Sequence, residues 1–137
     1  MSYDELPPRG AYERVKAGQR YLDVRTTGEF AEGHPEGALN IPVMFRMHGA
    51  MMPNTRFVAD VKRHFRPDED IVVGCRSGGR SARAIEILRS HGFTGQLTNV
   101  DGGFHGGRVP GWLQEGLPAS TDTTGRSYAE LSSDEGR

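Results

Sequence analysis

Cysteine is almost absent: Cys75 is the only one in 137 residues. That excludes an intrachain disulfide and a zinc site built from cysteines, and it suits a reducing compartment. No apolar run approaches the ~20 residues that a membrane-crossing helix needs. Neither sign of charge is in excess. With 17 basic and 18 acidic residues the net charge is −1, which argues against the strongly basic face that nucleic-acid binding uses. The stretch Met1-Ser2-Tyr3-Asp4-Glu5-Leu6-Pro7-Pro8 lacks the basic patch and apolar segment of a secretion signal. The histidines His34, His48, His64, His91 and His105 are scattered without metal-ligand spacing, and no P-loop, His-Glu-x-x-His or Gly-x-Ser-x-Gly motif occurs. The expectation is a soluble cytoplasmic protein with no metal, cofactor, nucleic acid or membrane among its partners. No strongly apolar stripe lies outside the core faces, so a monomer is expected.

What is present has the size and composition of one globular domain. Residues 1–118 carry the periodic segments, while 119–137 are rich in Ser, Thr, Asp and Gly. Such a tail has too few apolar groups to offset its ordering entropy, so disorder is expected there, with docking of Tyr128 and Leu131 as a short helix the less favoured alternative. Pro7-Pro8 opens a first helix that stops at Gly18. Tyr21–Val24 reads as a short strand, and Thr26 with Glu29 forms a capping box for a short helix ending by Gly33. Ala38–Ile41 is a second strand. The Met-rich residues 43–54 read as a long loop. Phe57, Val61 and Phe65 mark one face of a helix starting at Asn54 or Thr55. Ile71–Gly74 is a continuous apolar run suited to a central strand buried on both faces. A helix with Ala84, Ile85, Ile87 and Leu88, a strand over Leu97–Val100 and a short helix at Trp112-Leu113 follow. This alternation predicts an α/β fold with a mainly parallel sheet, whose sites form at the carboxyl ends of the strands.

Cys75 lies at such an end. The loop Cys75-Arg76-Ser77-Gly78-Gly79-Arg80-Ser81 joins the apolar strand to a helix. Adjacent glycines let the backbone curl so that N–H groups point inward, and the helix N-terminus favours anions. Arg76 and Arg80 add positive charge. All three effects favour thiolate over thiol, so the loop reads as a nucleophilic cysteine in an anion cradle. The bland reading is a small buried hydrophobe. Two arginines and a double glycine within five residues of Cys75 weigh against it.

Five segments then follow in a familiar order. They are Tyr21-Leu22-Asp23-Val24-Arg25, Glu29-Phe30 with Gly33-His34, Gly37-Ala38-Leu39-Asn40-Ile41-Pro42, the Cys75–Ser81 loop, and Gly102-Gly103 with Trp112 and Gly116-Leu117-Pro118. On these the chain resembles single-domain rhodaneses, a family of sulfurtransferases, over about residues 6–118. The resemblance implies a rhodanese-like fold, a central mainly parallel sheet with helices on both faces. It implies that Cys75 takes a sulfane sulfur from a donor such as thiosulfate, holds it as a persulfide, and yields it to a thiophilic acceptor such as cyanide or a thiol, a protein thiol included. Backbone N–H groups of Arg76, Ser77, Gly78, Gly79, Arg80 and Ser81 would cradle the persulfide. The Ser77 and Ser81 hydroxyls would be added donors. Arg76 and Arg80 would attract a dianionic donor and favour thiosulfate over mercaptopyruvate. Asp23 and Arg25 would hold the loop in place through hydrogen bonds and an ion pair, whereas Glu29 and His34 read as structural.

The sequence departs from the family at Pro35, and at His105–Gly111, which reads as a longer surface loop in preference to a flap. One rival is oxyanion chemistry, as in phosphatases and arsenate reductases of related fold. They carry Cys-x5-Arg, whereas Cys75 to Arg80 is one residue shorter and follows Gly74. The other rival is a partner-binding or sulfur-relay module, with the Met44–Met52 loop and the tail as docking candidates.

Overall fold

The computed structural model describes residues 3–132. The first half contains β1 (Asp4–Leu6), α1 (Pro8–Lys16), β2 (Arg20–Asp23), α2 (Thr27–Glu32), β3 (His34–Pro35), β4 (Leu39–Asn40), β5 (Met44–Met47) and β6 (Ala50–Pro53). The second contains α3 (Phe57–His64), β7 (Ile71–Gly74), α4 (Gly79–Ser90), β8 (Leu97–Val100), β9 (Ala119–Ser120) and α5 (Tyr128–Ser132). Five strands form one sheet in the order β1-β8-β7-β2-β4, and every pair in it is parallel.

The apolar run of β7 occupies the middle of this sheet and is buried throughout. Ile71 and Val73 point to one face, where they meet Phe57 and Val61 of α3 and Ile85 and Leu88 of α4. Val72 points to the other, with Tyr21, Ala11 of α1, Phe30 of α2, Phe104 and Trp112. Helices therefore cover both faces, as a strand with no polar alternation requires. At α2 the capping box is complete: the Glu29 N–H donates to Thr26 Oγ1 at 3.3 Å, and the Thr26 N–H donates to Glu29 Oε1 at 3.0 Å.

Four segments differ from expectation. Strand β1 was not anticipated, because three residues, Asp-Glu-Leu, carry no periodicity; pairing with β8 makes them a strand. Residues 44–53 form an antiparallel hairpin, not a loop. Its turn is His48-Gly49 with φ of 52° and 78°, the positive pair that a two-residue hairpin turn uses. Trp112-Leu113 lies in a turn, not a helix, because its N–H groups reach back to Gly103 O and Phe104 O at 2.8 and 3.0 Å. Residues 119–132, expected to be disordered, lie against the domain. Strand β9 pairs with β3, Tyr128 Oη donates to Asp60 Oδ2 at 2.6 Å, and Leu131 is buried. Polar and backbone bonds hold this segment, which is why a count of its apolar residues underrated it. Residues 133–137 of the expected tail lie outside the described residues.

Gly74 closes β7 where nothing larger fits. A Cβ there would stand 1.8 Å from Tyr21 Oη and 2.6 Å from Tyr21 Cζ. Gly74→Ala should therefore cost about 1–3 kcal/mol by overpacking, read as a lower midpoint in urea unfolding with an unchanged slope.

Candidate active site

Because β7 runs parallel to its neighbours and ends at Gly74, the next residue emerges at the carboxyl edge of the sheet. Cys75 stands there, 2% exposed, at the mouth of the turn that starts α4. Gly78 has φ 124°, a conformation open to glycine, and this aims its N–H at Cys75 Sγ from 3.1 Å. Ser81, fully buried, places its hydroxyl 3.3 Å from the same sulfur. The N-terminus of the 12-residue α4 thus opens onto the sulfur, and its dipole favours negative charge there.

A second segment backs this loop. The Phe104 N–H donates to Cys75 O at 2.8 Å and the His105 N–H to Arg76 O at 2.9 Å. This contact needs Gly103, since a Cβ on it would stand 2.5 Å from Cys75 O. Gly102 is equally confined, with Pro110 O 2.4 Å from its Cβ position. The His105–Gly111 stretch therefore folds back against the Cys75 loop as a flap, not as a remote surface loop. Burial, then Arg76 and Arg25, hold the His105 imidazole below the usual histidine range.

The family profile described as Rhodanese-like domain matches residues 8–108. The chain belongs to this family. It is 43% identical over 113 residues to the Senescence-associated protein DIN1 of Raphanus sativus, covering 82% of this chain and 58% of the radish protein. It therefore spans less than two thirds of that relative. It is 44% identical over 108 residues to Thiosulfate sulfurtransferase 16, chloroplastic, of Arabidopsis thaliana, covering 79% of this chain and 85% of the relative. Among solved structures, Rv0390 from M. tuberculosis shares the fold with a TM-score of 0.76 at 24% identity, over 89% of this chain and all of that one.

Within this rhodanese-like domain the expected residues divide. Cys75, Gly78 and Ser81 come together, whereas Ser77 and Arg76 are exposed on the loop rim. Arg80 does not face the sulfur as a free cation. Its two terminal nitrogens bind both Glu29 oxygens, at 2.8 and 3.0 Å. Asp23 and Arg25 make no hydrogen bond to the 75–81 loop among the described residues. They pair with each other, buried, at 2.7 Å, and Arg25 also donates to Gly33 O at 2.7 Å. Arg25 lies 4.7 Å from the centre of the Phe104 ring, so this pair supports the flap, and the loop only through it. His34 is buried and stacks on Phe30.

Sequence reading missed Asn99 and Glu5. Asn99 Oδ1 is an acceptor for the Ser81 hydroxyl, while its Nδ2 donates to Glu5 Oε2 at 2.8 Å. The carboxylate fixes which way the amide points. Ser81 has one proton and three acceptors nearby: Asn99 Oδ1, Gly78 O and Cys75 Sγ. The signal for Asn99 lay only in its position on β8, next to the strand that carries Cys75.

The Glu29–Arg80 pair titrates in acid. Burial raises the Glu29 pKa, but hydrogen bonds from Arg80 and Thr26 outweigh it and lower the value from 4.5 to about 2. A folded-state value below the unfolded one adds stability that is complete above the unfolded pKa and is lost as pH falls towards 2. Glu29→Gln should therefore be less stable than the parent at pH 6. The gap should narrow between pH 4.5 and 2 in urea unfolding series, because only the parent has this carboxylate to protonate.

Proposed function

We propose that this rhodanese-like domain is a sulfurtransferase that moves a sulfane sulfur from thiosulfate through Cys75 to a thiophilic acceptor. The observation that carries the reading is the recessed Cys75 sulfur at the N-terminus of α4 with the Gly78 N–H 3.1 Å away. In the first half-reaction the Cys75 thiolate attacks the outer sulfur of thiosulfate. The bond from that sulfur to the sulfonate breaks, and sulfite leaves with the electron pair. In the second, cyanide or a thiolate attacks the outer sulfur of the persulfide, and Cys75 leaves as thiolate. Backbone N–H groups at the helix N-terminus stabilise the anionic sulfur in both halves.

Two further points support this reading. One relative, of which the chain covers 85%, is named a thiosulfate sulfurtransferase. Arg80 is committed to Glu29, which leaves Arg76 as the loop arginine without an ion pair among the described residues. A phosphatase loop needs its terminal arginine on the oxyanion, and that commitment weighs against it.

Intact mass after incubation with thiosulfate should show the gain of one sulfur atom, removed by cyanide and absent in Cys75→Ser. No gain would overturn the thiosulfate reading. Catalytic efficiency should be higher with thiosulfate than with mercaptopyruvate. Arg76→Gln should raise KM for thiosulfate about threefold with kcat little changed, because Arg76 is solvent-exposed and screened.

A further inference from the structure

Four large apolar side chains are exposed among the described residues: Met47 and Met52 at 47%, Val109 at 39% and Leu113 at 45%. They are not scattered. Met47 and Met52 belong to the β5–β6 hairpin, and Val109 and Leu113 to the flap and the turn after it. Both segments leave the carboxyl edge of the sheet, one after β4 and one after β8, on opposite sides of β7, which leads into Cys75. Clustered exposed apolar groups mark interaction surfaces more than isolated ones do.

Both segments also carry unpaired positive charge. Arg9, Arg14, Arg20, Arg25, Arg66 and Arg80 each pair with a carboxylate. Arg46 on the hairpin, Arg76 on the loop and Arg108 on the flap have no ion-pair partner among the described residues, nor do Lys62 on α3, Arg83 on α4 and Arg126 after β9. Arg46 and Phe45 border a hollow with Thr26, Thr27 and Gly28 at the start of α2. Arg108 and Val109 border another with Ser77 and Asp101, beside the Cys75 loop. The flap side therefore offers arginine and carboxylate together, and the hairpin side offers arginine alone.

We propose that these two rims form the docking face for a protein acceptor. Its thiol lies in a segment that combines acidic and apolar residues, with the acidic ones meeting Arg46 and Arg76. This rests on the sulfurtransferase reading and names the acceptor that the cradle serves. In the sheet order β7 lies one strand spacing from β8 and two from β4, about 5 and 10 Å, so Cys75 stands between the two rims. A polypeptide segment spans both. Its thiolate attacks the outer sulfur of the Cys75 persulfide, and a new S–S bond forms on the partner. The bond to Cys75 Sγ breaks, and Cys75 keeps the electron pair as thiolate. Sulfur moves with no net oxidation, so no further reactant is needed.

The test uses protein loaded with thiosulfate and three acceptors: a single-cysteine peptide of Glu and Leu, the same peptide with Lys for Glu, and glutathione. The Glu peptide should accept sulfur about tenfold faster than the Lys peptide at low salt, and the difference should shrink as salt rises. Arg46→Glu and the pair Met47→Ser with Met52→Ser should slow transfer to the Glu peptide severalfold while leaving transfer to cyanide unchanged. Equal rates for the two peptides, or no effect of the rim substitutions, would overturn the proposal. Docking is also read without sulfur, by fluorescence anisotropy of a labelled Glu peptide whose cysteine is replaced by serine. Failure to load with intact peptide binding would remove the sulfurtransferase reading and leave the face. Loading with no preference between peptides would remove the face and leave the reading.

Discussion

Close packing on both sides of the Cys75 backbone is the constraint on which the site depends. Gly74 leaves room for the Tyr21 ring, and Gly103 leaves room for the flap. The carbonyls of Gly74, Cys75 and Arg76 are then all taken up, by the N–H groups of Val24, Phe104 and His105. With these carbonyls bound outward into sheet and flap, none competes for the space around the sulfur. The Gly78 N–H can turn inward without meeting a stray acceptor. A backbone held this way needs few side chains to make an anion site, and those present are free for other tasks.

Those tasks are divided among charges by burial. The Asp23–Arg25 pair is wholly buried, and burying both charges offsets much of their attraction. Its value lies in fixing the ground under Phe104 more than in net stability. The Glu29–Arg80 pair is part-exposed and joins the capped start of α2 to the first turn of α4, so two helix N-termini share one strut. Arg46, Arg76 and Arg108 on the rim have no ion pair among the described residues. A neutral sequence, net charge −1, can thus present a locally basic entrance.

Most of the fold was legible because its strongest signals are local. Ile71–Gly74, the Thr26 capping box and the Cys75 loop each announce themselves within a few residues. The hairpin did not, because methionine at alternating and non-alternating positions erases the period that a strand would show. Strand β1 did not, since its order comes from β8, far away in the chain. The same distinction holds at the site. Cys75, Gly78 and Ser81 lie in one short motif. The partner of Arg80 is 51 residues away at Glu29, and that of Asn99 is 94 away at Glu5. Spacing along the chain carries no trace of such pairs, so the Glu29 partner of Arg80 was not legible in the sequence.

The segment after β9 has a consequence for solubility. Strand β4 is the last of its sheet and two residues long, and the Asn40 N–H that would otherwise project from it is taken by Arg126 O at 2.9 Å. Arg126 also reaches Gly37 O, just before the strand. An open strand edge is a template for pairing with another molecule. The polar stretch that seemed to have no structural duty therefore acts as a guard rail at the β4 edge, denying the sheet a place to grow there.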